Sequence, residues 1–179
     1  MFQVRIHGRG GQGVVTAAEM LSIAAFLEKK YAQAFPSFGS ERMGAPVTAF
    51  CRISAAEIRL REPVLEPNAL IIQDRTVIEP SKAFDGIVDG GFVLINSPVE
   101  IEHNLKNVRV KCIAATGIAL ENVGRPIPNA VLLGGFAALT GVVKIESVIE
   151  AVKMKFSGAV AEKNVNAARA AYEKILKEV

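Results

Sequence analysis

The chain has 179 residues, half of them hydrophobic, with 21 Lys or Arg against 18 Asp or Glu and a net charge of +3. So mild a charge, with no Trp and only 6% aromatic residues, gives no basic stripe with stacking side chains and excludes nucleic acid as an expected partner. The two cysteines, Cys51 and Cys112, cannot supply the four thiolates of an iron–sulfur cluster or a structural zinc, so no metal site is expected. The length suits one domain, residues 1–179, with a substantial core. An apolar share this high points to a large core or to a large permanent interface. The N-terminus lacks the basic flank of a signal peptide and enters a strand at once, so a reducing, cytoplasmic setting is expected.

Residues 2–6 alternate as a strand would. His7-Gly8-Arg9-Gly10-Gly11-Gln12-Gly13 follows, and residues 14–27 read as a largely buried helix ending at Glu28-Lys29-Lys30. Strand, glycine turn and helix make a place where backbone N–H groups and a helix N-terminus can face an anion. Gly8, Gly10 and Gly13 satisfy G-x-G-x-x-G. A dinucleotide site also wants an acid at the end of the second strand, but Glu41 sits in a loop and Glu28 at a helix end. A P-loop fails as well, because Val14 and Val15 stand where Lys and Ser/Thr belong. A tight turn, an anion site and a docking point for a partner's backbone all remain open.

Residues 31–38 are aromatic and extended, a second strand, and 39–44 form a polar loop bracketed by glycines. Residues 45–53 alternate as a strand with Pro46 at its entry. Residues 57–61 alternate charge with apolar side chains and are expected to pair with it as a hairpin with one wet face. Residues 69–74, 92–97 and 108–113 read as further strands, with a short helix or turn over 76–84 and a short helix over 116–123. Asn129 is a candidate N-cap for an uncharged helix within 130–143. That stretch is well short of the roughly 20 residues of a membrane span. Helices are expected over 145–155 and from about Ala159, the last with Val165, Ala168, Tyr172, Ile175, Leu176 and Val179 on one stripe. The pattern predicts an α/β fold: a single three-layer domain with a mixed, partly parallel β-sheet and a glycine-rich strand-to-helix turn.

Catalytic chemistry is sparse. His7 and His103 have no metal-ligand spacing, and there is no G-x-S-x-G elbow; no catalytic residue is assigned. In the 39–44 loop, Arg42 offers a planar fork for phosphate or carboxylate and Ser40 a small hydroxyl. A surface turn with a local Glu41–Arg42 pair is the plain alternative.

Gly8-Arg9-Gly10-Gly11-Gln12-Gly13 before an Ala-rich helix, then Ser37-Phe38-Gly39-Ser40-Glu41-Arg42-Met43-Gly44-Ala45-Pro46, resembles the gamma subunit of the 2-oxoacid:ferredoxin oxidoreductases. That subunit is the equivalent of one domain of single-chain pyruvate:ferredoxin oxidoreductase. The resemblance continues through Ile127-Pro128-Asn129-Ala130, Phe156-Ser157-Gly158, Asn164-Val165-Asn166 and Tyr172, and so spans nearly the whole chain. The loop wording is similar to pyruvate and branched-chain members, although Met43 stands where many relatives have Arg or Gly. The resemblance implies a complex that converts a 2-oxoacid and coenzyme A to acyl-CoA and carbon dioxide while reducing ferredoxin. It implies alpha, beta and delta partner subunits. Thiamine diphosphate, magnesium and 4Fe–4S clusters would be carried by the complex and none by this chain. It also implies that Gly10, Gly11, Gln12, Ser40 and Arg42 lie on the coenzyme A side. An independent NAD or flavin domain and a purely structural subunit are the alternatives.

Overall fold

A computed structural model describes residues 1–37 and 43–178. Six strands join one mixed sheet in the order β2-β3-β1-β4-β5-β6: β1 (Phe2–Arg9), β2 (Tyr31–Pro36), β3 (Pro46–Ser54), β4 (Ala69–Ile72), β5 (Phe92–Asn96) and β6 (Arg109–Ile113). β1 pairs parallel with β4, which continues in parallel through β5 to β6. On its other side β1 pairs antiparallel with β3, and β3 with β2. The mixed sheet therefore matches expectation.

The hairpin partner does not. Residues 57–61 form no strand; β2, not this segment, pairs with β3, in register from Tyr31 opposite Ser54 to Pro36 opposite Ala49. Both edges of β3 are occupied, by β2 and β1, so no ladder is free for residues 57–61. Their alternation belongs to an exposed strap.

Five helices, α1 (Val14–Leu27), α2 (Ala115–Val123), α3 (Asn129–Thr140), α4 (Ile145–Lys155) and α5 (Gly158–Leu176), contribute to one apolar cluster. They pack there on the face carrying Val4, Ile6, Cys51, Ile71 and Leu94. Strand alternation sends Leu70, Ile72, Val93 and Ile95 to the opposite face, where Val77, Ile78 and Ala83 cover them. The third layer is thus made of a 3₁₀ turn (Arg75–Val77) and further turns. α3 is buried along nearly its whole length, as its uncharged sequence predicts. It meets α5 closely, because a Cβ on Gly134 would collide with the Ala168 carbonyl. The buried line of α5 is Ala161, Asn164, Ala167, Ala168, Ala171 and Ile175. Of the expected stripe, Ala168 and Ile175 are buried, Val165 and Tyr172 pack half-buried against the core, Leu176 is 55% exposed, and Val179 lies outside the described residues.

Asn129 is not an N-cap. It is the first helical residue of α3, after Pro128, and makes no capping bond. Its amide is drawn instead to Gln73, whose Nε2 donates to Asn129 Oδ1 at 2.9 Å. Among the described residues no helix is long and apolar enough to cross a membrane.

Candidate functional site

β1 runs three residues further than its alternation suggested and delivers the chain into the glycine turn at the carboxyl edge of the parallel strands. Gly13, at φ 73°, occupies the left-handed region at the start of α1, which side chains other than glycine's adopt at a cost. A Cβ there would also lie 2.5 Å from Asn129 Nδ2. Gly8 is held to glycine by space rather than by dihedral: a Cβ would sit 2.7 Å from Val14 Cγ2. The turn therefore packs tightly against both α1 and α3.

Its side chains fasten it to β4 and to the segment before β3. Gln12 Oε1 accepts from the Arg9 N–H at 2.8 Å, and Gln12 Nε2 donates to Asp74 Oδ2 at 2.8 Å. Asp74 Oδ1 accepts from the Thr76 N–H at 2.9 Å and from its hydroxyl at 2.6 Å. Arg9 reaches Thr76 Oγ1 at 2.7 Å and the Gly44 carbonyl at 2.9 Å, with Asp74 at 3.5 Å. Burial works to raise the Asp74 pKa, but the bonds from Thr76 and Gln12 and the charge of Arg9 outweigh it and hold the carboxyl below its usual range. Asp74 is the residue that sequence order hid. It lies just past the end of β4, the strand beside β1 in space rather than the second strand in sequence, and caps the 3₁₀ turn that follows.

Beside this turn opens a cleft of about 690 Å³, lined by Gly10, Gly11, Gly13, the first turn of α1 and residues of β2 and β3. α1 starts without a side-chain cap and with no acid in its first turn. The N–H groups of Val14, Val15 and Thr16 have no protein partner among the described residues. A helix start of this kind presents donors and partial positive charge to whatever enters the cleft.

The expected site residues divide three ways. Gly10 and Gly11 line the cleft, although the Gly10 N–H is taken by the Ala45 carbonyl at 2.9 Å. Gln12 has both ends of its amide engaged within the protein and so shapes the loop. Ser40 and Arg42 lie outside the described residues. His7 is buried and accepts through Nε2 from Arg5 Nε at 3.0 Å. Burial first, and the neighbouring Arg5 charge second, push its pKa down to about 3, so the ring is neutral. The Cys51 thiol is pushed up to about 12 by complete burial, which makes it a poor nucleophile.

The sheet order, the glycine turn and the uncapped helix start define an α/β protein with a cleft at the carboxyl edge of its parallel strands. The pyruvate ferredoxin/flavodoxin oxidoreductase family matches residues 3–174, and the chain belongs to it. It is 49% identical to the pyruvate/ketoisovalerate oxidoreductases common subunit gamma of Pyrococcus furiosus, over 97% of each chain. The crystal structure of pyruvate oxidoreductase subunit PORC from Thermotoga maritima is similar at a TM-score of 0.85 and 34% identity, covering 96% of this chain and 95% of that one. A 2-oxoglutarate:ferredoxin oxidoreductase from Magnetococcus marinus, solved with 2-oxoglutarate, coenzyme A and succinyl-CoA bound, shares the fold at a TM-score of 0.82 and 18% identity. The match there covers 99% of this chain and 31% of that one. The protein is therefore a subunit of a pyruvate-type 2-oxoacid ferredoxin oxidoreductase, an enzyme built of several subunits.

Proposed function

We propose that this gamma subunit holds the diphosphate of coenzyme A at the start of α1 and so completes an active site whose thiamine diphosphate and iron–sulfur clusters are carried by alpha, beta and delta partners. The observation that carries the reading is the cleft of about 690 Å³ over a helix start that has neither a cap nor an acid. Gly11 lets the backbone approach the ligand, and the Val14–Thr16 N–H groups and the Thr16 hydroxyl supply donors. Gly10 and Gln12 set the turn, and Ser40 and Arg42 are assigned as further phosphate contacts. The Magnetococcus protein of the same fold was solved with coenzyme A, which supports this choice of ligand.

Thr16→Asp tests it. An aspartate at the third helical position favours the helix while placing a negative charge where a phosphate would lie. In the assembled complex the apparent KM for coenzyme A should rise at least about tenfold, the worth of one charge-assisted contact, with subunits still co-purifying. Arg42→Ala should raise it in the same direction. Unchanged KM values in both variants would leave the chain as a purely structural subunit.

A further inference from the structure

Three of the segments that carry the family likeness, at 127–130, 156–158 and 164–166, meet away from the glycine-turn cleft. Ile127, Phe156 and Asn164 there line a separate cavity of about 330 Å³. It lies where the end of α2, the connection into α3 and the junction of α4 with α5 come together. Val123 and Phe156 are half-buried against the main core and give the cavity its floor, while Ile127 and Val160 stand 41% and 51% exposed at its rim. Asn164 braces that rim, its Nδ2 donating to the Val160 carbonyl at 2.8 Å. Leu120, one turn before Val123 on α2 and 49% exposed, adds apolar surface beyond the cavity itself.

The charge at this place has one sign. Arg125 and Lys163 are part of the lining, and no acid is. Both are exposed, and neither enters an ion pair among the described residues. An apolar hollow with a cationic edge complements an apolar side chain that has a carboxylate beside it. A two-fold contact between copies of this chain would set Arg125 and Lys163 against copies of themselves, and like charges so placed repel. The chain is one subunit of an enzyme built of several, so the complementary segment is sought on the others.

We propose that this groove receives a segment of another subunit of the same enzyme, which seats an apolar side chain in the cavity and sets an Asp or Glu carboxylate against Arg125 and Lys163. The apolar anchor holds the segment, and the charges select it over neutral or basic alternatives. The assignment does not depend on the coenzyme A reading, since no residue of this groove lines the cleft.

The unmodified complex supplies the first test. A zero-length carbodiimide cross-linker should join Lys163 to an Asp or Glu of another subunit, identified by mass spectrometry, with an apolar residue next to that acid. The second test is the apparent Kd of this chain for the rest of the complex. Val160→Asp puts an acid in the first turn of α5, where a helix accepts it, but on the rim of the cavity; it should weaken that Kd at least about tenfold. Arg125→Gln with Lys163→Gln should weaken it severalfold at low salt and flatten its salt dependence. This pair alters only exposed side chains and carries the test should Val160→Asp not fold. A Lys163 that joins only carboxylates of its own chain or of a second copy would overturn the proposal. So would a Kd with unchanged salt dependence in the double variant.

Discussion

Along β1 and β3 the two faces of the sheet solve the same problem with opposite chemistry. Against the helices, β1 and β3 present Val4, Ile6, Ala49, Cys51 and Ile53, all buried. A helix satisfies its own backbone, so it can offer an apolar stripe and needs only an apolar partner. On the other face the same two strands present Arg5, His7 and Arg52, also buried. What covers them is irregular chain, whose carbonyls need donors once water is excluded. Arg5 donates to the carbonyls of Val64 at 3.3 Å, Leu65 at 3.4 Å and Ala83 at 3.2 Å, and to that of Asp85. Arg52 donates to the Glu62 carbonyl at 2.6 Å and lies over the Phe35 ring, 5.2 Å from its centroid. A buried loop is thus sealed by guanidinium groups where a buried helix is sealed by alanine and leucine.

Breaking the loop side should be the more costly. Arg5→Met removes the donor to four carbonyls and to His7, and is expected to cost about 3 kcal/mol or more in urea unfolding, since each orphaned buried acceptor costs about 1–3 kcal/mol. Arg5→Lys should recover only part of this, because a single ammonium cannot match the fork. A loss below about 1 kcal/mol for Arg5→Met would mean that the carbonyls find other partners and that the contrast is false. On the helix side, Gly134→Ala gains helix propensity yet must push α3 from the Ala168 carbonyl. A net loss of about 2 kcal/mol is expected, read as a lowered Tm.

The contrast also has a pH signature, smaller per step and carried on the loop side by His7. The unfolded chain protonates His7 near pH 6.5, the native one only near 3. Between these values the unfolded state binds more protons, so stability is full above pH 6.5 and falls as pH drops through the window, by about 1.4 kcal/mol per unit. His7→Gln, which keeps an acceptor for Arg5, should flatten the slope between pH 6 and 4, measured by urea midpoints at successive pH values. A slope unchanged in that variant would assign the acid sensitivity to other groups.

Much of the site was legible. The glycine turn, the start of α1 and the extent of α4 follow from local signals: glycines at fixed spacing, apolar periodicity, and charge at the helix end. The motifs running to Tyr172 were enough to place the family. Asp74 was visible as the acid closing an apolar run, but nothing local tied it to Gln12, 62 residues away. The alternation at 57–61 predicts a strand the fold does not form, because period two records only that side chains take opposite sides. It does not record whether a partner has a free edge. Asn129 carries a capping side chain ahead of an apolar run, yet Pro128 takes the cap position and the Asn129 amide is bonded by the buried Gln73.

By itself, then, the sequence determined the local elements, the turn chemistry and the family, because dihedral preference, capping and apolar period act within a few residues of each other. Only the tertiary structure decided which strand lies beside β1 and which segment closes the hairpin. The same holds for the neutral His7 and for the bond between Gln12 and Asp74. Those are outcomes of pairing and burial between residues far apart in the chain, where each edge, donor and acceptor can be used once and the whole set must be satisfied together.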